Sequence, residues 1–358
     1  MSAHELLITI MAIFAALGAV DRICGNKLGL GEEFENGIMA MGSLAMAMLG
    51  IIALAPVLAV VLKPVVVPIF SFLGADPAMF AGSILACDMG GGALAQELTE
   101  DSQAALLGGV ITGSMLGATV VFTIPVAMGI LEEKDRPAMA KGILCGIVTI
   151  PLGILAGGLV AGFPLMMVLR NLIPIVIIGA LIALGLWKAE KAMIRGFSIF
   201  GKAVVILITA GLAAAIVEEL TGIEIIPGLE KLEVGFSTVG AIAIVLAGAF
   251  PLVYAITRIF RKPLLKLGGI LRINDAAAAG LVATLANSIA TFGMVKDMDE
   301  RGKVVNIAFA VSAAFVFGDH LGFTAGFAPQ LLPAMIVGKL AGGVGAVAVA
   351  MLLTKKAK

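Results

Sequence analysis

The chain has 358 residues, of which 60% are hydrophobic and only 13% charged, with a mean hydropathy of +1.12. Soluble domains carry about a quarter of their residues as charges, so this composition belongs in a bilayer and leaves no room for a soluble catalytic domain. The 24 basic residues balance the 24 acidic ones, and no basic cluster is interleaved with aromatics, which argues against a nucleic-acid partner.

At the N-terminus, His4 and Glu5 stand where a secretory leader would carry basic residues, so the first apolar run reads as a retained span. A crossing needs roughly 20 apolar residues, and the runs at about 38–62, 104–130, 139–163, 237–257 and 332–353 are each long enough. The segment 64–98 carries Asp76, Asp88 and the acidic flank Glu97, Glu100 and Asp101. In the run that follows it, Gly109, Gly113 and Gly117 recur every fourth residue and bare one face of a helix to another backbone. That neighbour is either a docked hairpin or the same helix in a second copy. A further crossing is expected at about 165–187, ahead of a basic connection with Lys188, Lys191, Arg195 and Lys202. A span at about 203–217 then leads to the acidic connection Glu218, Glu219, Glu224, Glu230 and Glu233.

Arg258, Arg261, Lys262, Lys266 and Arg272 form the next basic stretch; Lys296, Arg301 and Lys303 follow, and Lys355, Lys356 and Lys358 form the tail. By the positive-inside rule the basic connections are cytoplasmic and the acidic one is outside. The chain is then expected in the inner (plasma) membrane with its N-terminus outside and its C-terminus inside. On this reading 263–297 starts and ends on one side, and its first leg, about 264–273, is too short to cross. A re-entrant hairpin fits better than a tight pair of spans, with 64–98 as its partner from the outside. Such irregular backbone survives at membrane depth only when protein or a water-filled cavity shields it.

A duplication ties these pieces together. Lys63, Pro64 and Asp76 recur as Lys262, Pro263 and Asp275 (262 − 63 = 275 − 76 = 199), and the same offset carries Asp88 onto Asn287 and Glu100–Asp101 onto Asp299–Glu300. Gly318, Gly322 and Gly326 form the second glycine stripe. The expectation is an all-α polytopic membrane protein built as an inverted-repeat transporter, with about nine full transmembrane helices plus two re-entrant or broken-helix hairpins. Residues 1–163 form the first repeat, 164–202 a connecting helix and cytoplasmic basic loop, and 203–358 the second, inverted repeat. The single connecting helix is what inverts the second copy.

Within the predicted membrane the charges that stand out are Asp88 and the Asp319–His320 pair. A carboxylate at the bilayer centre costs on the order of 3 kcal/mol, so function is its default explanation. Three glycines follow Asp88 and favour an unwound helix there, with backbone dipoles bared beside the carboxylate. The second copy offers neutral Asn287 flanked by Thr284, Ser288 and Thr291, either as hydrogen-bonding partners of a ligand or as polar packing. One acidic half and one neutral half suit a small ligand with one positive charge and one hydroxyl. Phe315, Asp319 and Phe323 follow each other at four-residue spacing, which on a continuous helix would bracket the carboxylate with two rings suited to an ammonium. His320 is either a proton carrier or a structural hydrogen-bonding residue. Asp76 and Asp275 are expected at hairpin tips, as caps or as ligands. Cys24, Cys87 and Cys145 have neither metal nor disulfide spacing and read as packing residues, so neither metal nor cofactor is expected.

The stretches Leu85-Ala86-Cys87-Asp88-Met89-Gly90-Gly91-Gly92-Ala93-Leu94 and Phe317-Gly318-Asp319-His320-Leu321-Gly322-Phe323-Thr324-Ala325 resemble the ethanolamine utilization permease family, and the likeness runs from the first span to the tail. The resemblance implies uptake of ethanolamine, especially as its protonated form, with the bilayer as the other partner; self-association into a homo-oligomer is left open. Asp88, Asp319 and His320 are the residues of the two motifs. Gly92 departs from the larger residue expected there, which implies a more open pocket beside Asp88. The alternative is a proton- or sodium-coupled carrier of another small polar or cationic solute. A distant one is an intramembrane aspartyl protease using Asp88 and Asp319, but Val316-Phe317-Gly318-Asp319 lacks the first glycine of a Gly-x-Gly-Asp motif.

Overall fold

In hydrocarbon a backbone can hydrogen-bond only with the protein itself, so long apolar runs are driven into helices. The computed structural model describes residues 2–354, with the side chains of 260–265 and 267 left undescribed, and every regular element among the described residues is helical. Among the described residues seven helices are long and apolar enough to cross a membrane, and the protein is a multi-pass membrane protein. Lys262 and Pro263, two marks of the repeat, lie outside the described side chains, and the basic tail lies outside the described residues.

Helix α1 (Ala3–Ile23) begins with a capping box in which Ser2 and Glu5 satisfy each other's backbone N–H groups. Helix α2 (Leu30–Phe72) runs through Pro56, Pro64 and Pro68 without ending. Two short helices follow, α3 (Ala78–Ile84) and α4 (Gly91–Leu98), separated by a single turn at Cys87–Met89. A continuous rod then begins as α5 (Ser102–Leu106), widens into π-helical turns over Leu107–Gly117 and Thr119–Thr123, and ends as α6 (Ile124–Ile130). Helix α7 (Arg136–Val160) completes the first half.

Helix α8 (Leu165–Thr221) corrects the expected basic loop. Its 57 residues are far more than the roughly 20 that a single crossing needs. It joins the expected crossings at 165–187 and 203–217 through a kink at Ala189, where φ is −142° and ψ 46°. Beyond that kink the stretch from Glu190 to Lys202 stays helical, helped by its lysines, alanine, glutamate and methionine, which are good helix formers. Helix α9 (Leu232–Leu271) follows, then α10 (Asp275–Ala286), α11 (Ser288–Met294), α12 (Glu300–Ala313), α13 (Asp319–Phe327) and α14 (Leu332–Leu353).

Each segment expected to form a hairpin holds two short helices that meet at a break, with boundaries other than those expected. The expected first leg at 264–273 is the end of α9, just as 64–72 is the end of α2. The 199-residue offset carries Phe72, the last residue of α2, onto Leu271, the last of α9. The first hairpin closes on itself where Thr99 Oγ1 donates to Asp76 Oδ2 at 2.8 Å. The second closes where the Asn274 backbone N–H donates to Asp299 Oδ1 at 2.9 Å and Asn274 Nδ2 donates to the Asp297 carbonyl at 2.8 Å. Asp76 and Asp275 therefore sit at the hairpin mouths, while the tips are the breaks at Asp88 and Asn287. Asp76 also accepts from the Ala78 N–H at 2.8 Å, whereas Asn274, not Asp275, caps α10.

The first glycine stripe docks the first hairpin. A methyl group on Gly113 would lie 3.1 Å from the Cys87 nitrogen, and one on Gly109 2.8 Å from Gly92 Cα. The second stripe divides: Gly318 abuts the Ala286 carbonyl of the second hairpin, while Gly322 and Gly326 pack on Leu246 and Ile242 of α9. Between the halves, α7 and α14 meet through Gly153, Gly157 and Gly338, and Thr149 Oγ1 donates to the Gly342 carbonyl at 3.0 Å. Small residues at such crossings let backbones approach closely, which is where van der Waals attraction between helices in lipid comes from.

Candidate functional site

The two halves differ where polar residues concentrate. The rod from Ser102 to Ile130 is continuous, whereas α12 stops at Ala313 and α13 restarts at Asp319. In the intervening segment the Phe315 and Phe317 N–H groups donate to the Thr284 and Leu285 carbonyls of the second hairpin, at 3.2 and 2.8 Å. Phe315 holds φ at +63°, a left-handed conformation that costs a non-glycine residue about 1–3 kcal/mol and tends to persist at functional sites.

This break dissolves the expected aromatic cage. Phe315 lies before α13 and packs on Phe122 and on His320, with ring centroids 5.4 and 5.3 Å apart. Phe323 stacks on Phe327 at 4.8 Å. A methyl group on Gly92 would come within 2.7 Å of the Phe323 ring, so aromatic rings fill the space that the glycine was expected to open.

At the first hairpin tip, Asp88 occupies the single turn between α3 and α4, and Gly90 reverses the chain with φ +93° against Ile51. The Asp88 side chain retains 15% of its accessible surface, and its Oδ1 lies 3.7 Å from His320 Nε2. The other imidazole nitrogen, Nδ1, is 2.9 Å from Lys339 Nζ, and Lys339 also donates to the Ser114 carbonyl. A charged ammonium can only donate, so Nδ1 must accept and the imidazole proton resides on Nε2, the side facing Asp88. Carboxylate, imidazole and ammonium thus form one line from hairpin tip to α14.

Lys339 escaped the sequence reading. It is 1% exposed in the middle of α14, and its signal was available as the lone charge in the run 332–353. Cys87, Asp88 and His320 each place a ligand atom within 4.8 Å of the others, but the Lys339 ammonium on the same imidazole supplies the positive charge a metal would bring. The arrangement suits cation pairing better than a metal centre.

Asp319 and His320, consecutive at the start of α13, point to different places. Asp319 lines a cavity of about 730 Å³ together with Asn287, Phe317, Glu33, Tyr254 and Arg258. Among the described residues, no ion pair involves Asp319. Asn287 is exposed at the second tip, where its side-chain oxygen accepts from the Ile289 N–H at 2.8 Å. Thr284 and Ser288 are fully buried outside this lining; the Thr284 and Thr291 hydroxyls lie 2.8 Å apart and each 2.9 Å from the Gly280 carbonyl, so one donates to the carbonyl and the other to its neighbour. The geometry of these threonines is that of helix-to-helix polar packing.

A family model described as "Ethanolamine utilisation protein, EutH" matches residues 3–353. The chain is 60% identical over 356 residues to the probable ethanolamine permease EutH of Listeria monocytogenes, covering 99% of this chain and 95% of that one. It is 52% identical over 354 residues to the uncharacterized protein YxeR of Bacillus subtilis, covering 99% and 96%. With the probable ethanolamine permease EutH of Escherichia coli the identity is 50% over 394 positions, covering 99% and 97%. No solved structure matches the chain.

Proposed function

We propose that this chain, which belongs to the ethanolamine utilisation protein EutH family, is a permease that takes up ethanolamine as its ammonium ion. The observation that carries the reading is the Asp319 carboxylate, in no ion pair among the described residues, in a cavity shared with the Asn287 amide. Ethanolamine is an ammonium joined by two carbons to a hydroxyl, and a carboxylate beside a neutral hydrogen-bonding group is its chemical complement. Asp319 is the first station on this reading, and Asp88, reached past His320, is the second. His320 sets the boundary between the stations. Phe315 and Phe323 hold its surroundings and do not cage the ion; Thr284 and Ser288 support the second hairpin from behind.

The same reading assigns the chain nine crossings, counting α8 as two at its Ala189 kink and α12 with α13 as one. Residues 1–163 and 203–358 are two inverted repeats around the connector 164–202. Matching helix ends at the 199-residue offset support this, as does the crossed packing in which Gly37 of α2 meets Leu246 and Ala247 of α9 while Gly235 of α9 meets Leu49 of α2. With the basic connections in the cytoplasm, Glu33 and Arg258 lie at the cytoplasmic end of the cavity, so this conformation faces inward. Single cysteines introduced at Asp101 and Glu224 should react with an impermeant thiol reagent from outside, and those at Arg195 and Arg272 should not. Outside labelling at Arg195 would invert the assignment.

Function is tested by uptake of labelled ethanolamine into proteoliposomes holding the purified chain, with and without imposed proton and sodium gradients. Saturable uptake above that of protein-free vesicles is expected, and its absence under every gradient would sink the permease reading.

A further inference from the structure

Lys339 raises a problem of charge that the substrate must solve. Asp88 is already matched by a positive charge, delivered through the imidazole of His320, in a site enclosed by the first hairpin, α13, α14 and the rod at Ser114. The titratable groups facing it are Cys87 and Asp88 from the hairpin, His320 from α13 and Lys339 from α14, while Asp319, next to His320 in the chain, faces the larger cavity. An ammonium arriving at Asp88 would bring a second cation to one carboxylate, and uncompensated charge at membrane depth is strongly disfavoured. Lys339 can relieve this in a way that arginine could not, because a buried lysine gives up its proton while a guanidinium stays charged.

We propose that Lys339 is a tethered surrogate for the substrate's ammonium, so that each ethanolammonium reaching Asp88 displaces one proton from Lys339. This rests on the reading of the chain as an ethanolamine permease. Lys339 Nζ gives its proton to His320 Nδ1, and the proton already on Nε2 leaves toward the cavity, where water accepts it and carries it to solvent. Lys339 is left as a neutral amine, His320 as the other neutral tautomer, and Asp88 as a carboxylate paired with substrate. Reversal of these transfers reloads the lysine when substrate leaves. The cycle exchanges a substrate cation for a proton and carries no net charge through the Asp88 site.

Proton release on binding tests the exchange. Ethanolamine is titrated calorimetrically into the purified full chain at roughly pH 7, where a primary amine is protonated, in buffers of different ionisation enthalpy. The wild-type chain should release about one proton per ethanolamine bound. Lys339→Met should bind with no proton released, and Lys339→Arg should bind at least tenfold more weakly, because its charge cannot be discharged. Binding by the wild-type chain without proton release would overturn the exchange while leaving the permease reading intact. Equal release from Lys339→Met would place the proton on the substrate and overturn the role of the lysine. No binding by the wild-type chain would remove the substrate assignment and the exchange together. Should Lys339→Met fail to run as a single species in detergent, the wild-type and Lys339→Arg titrations still decide.

Discussion

Replacing Asp319 with Asn should raise the ethanolamine concentration for half-maximal uptake by about ten- to more than a hundredfold. A hydrogen bond to a charged group contributes roughly 1.5–3 kcal/mol, and the amide keeps the size and hydrogen-bonding capacity while removing the charge. The effect should be clean because no ion pair among the described residues involves Asp319, so the substitution strands no partner. Asp88→Asn should reduce uptake at least as strongly, but it also leaves the Lys339 ammonium without its facing carboxylate. Its expression and thermal stability should therefore fall as well, and those of Asp319→Asn should hold. Proteoliposome uptake across a range of ethanolamine concentrations, with protein content matched, separates the two. Unchanged affinity in Asp319→Asn would take that carboxylate off the substrate's path.

The helical class, the membrane setting and the two polar motifs were legible because each rests on a property the chain carries locally. Apolar length sets the helices, and charge inside an apolar run marks Asp88 and the Asp319–His320 pair. The hairpin boundaries were not legible, because the first hairpin was expected to begin at Pro64 while α2 absorbs Pro64 and continues to Phe72. In lipid a proline can be carried within a helix when neighbouring groups satisfy the freed carbonyl. The aromatic cage failed for a tertiary reason: its spacing assumed one helix through Gly318, and pairing of Phe315 and Phe317 with the second hairpin breaks that helix. Lys339 was missed because a hydropathy average over α14 hides a single charge. That average finds spans well and sites poorly, since one charge in a run of 22 residues barely changes it while deciding what the run can bind.

The largest loss of stability should come from Lys303→Met, far from the proposed substrate path. Lys303 on α12 lies 2.7 Å from Asp135, the residue before α7, and joins the two halves of the chain. Its second partner, Glu300, is 84% exposed, whereas Asp135 is 1% exposed. The contact with Asp135 is an ion pair by distance without hydrogen-bond alignment, and neither Asp135 oxygen has a hydrogen-bond partner among the described residues. Removing the lysine therefore strands a buried carboxylate, which typically costs about 3–5 kcal/mol. Asp135→Asn should cost less, because Lys303 keeps Glu300 and no buried charge is orphaned. The double variant Lys303→Met/Asp135→Asn should recover much of the loss, because the carboxylate that lacks a partner in the single variant is gone. Thermal unfolding of the three variants in detergent measures the order. A Lys303→Met protein as stable as the wild type, or a double variant no better than Lys303→Met alone, would show that Asp135 does not depend on this lysine.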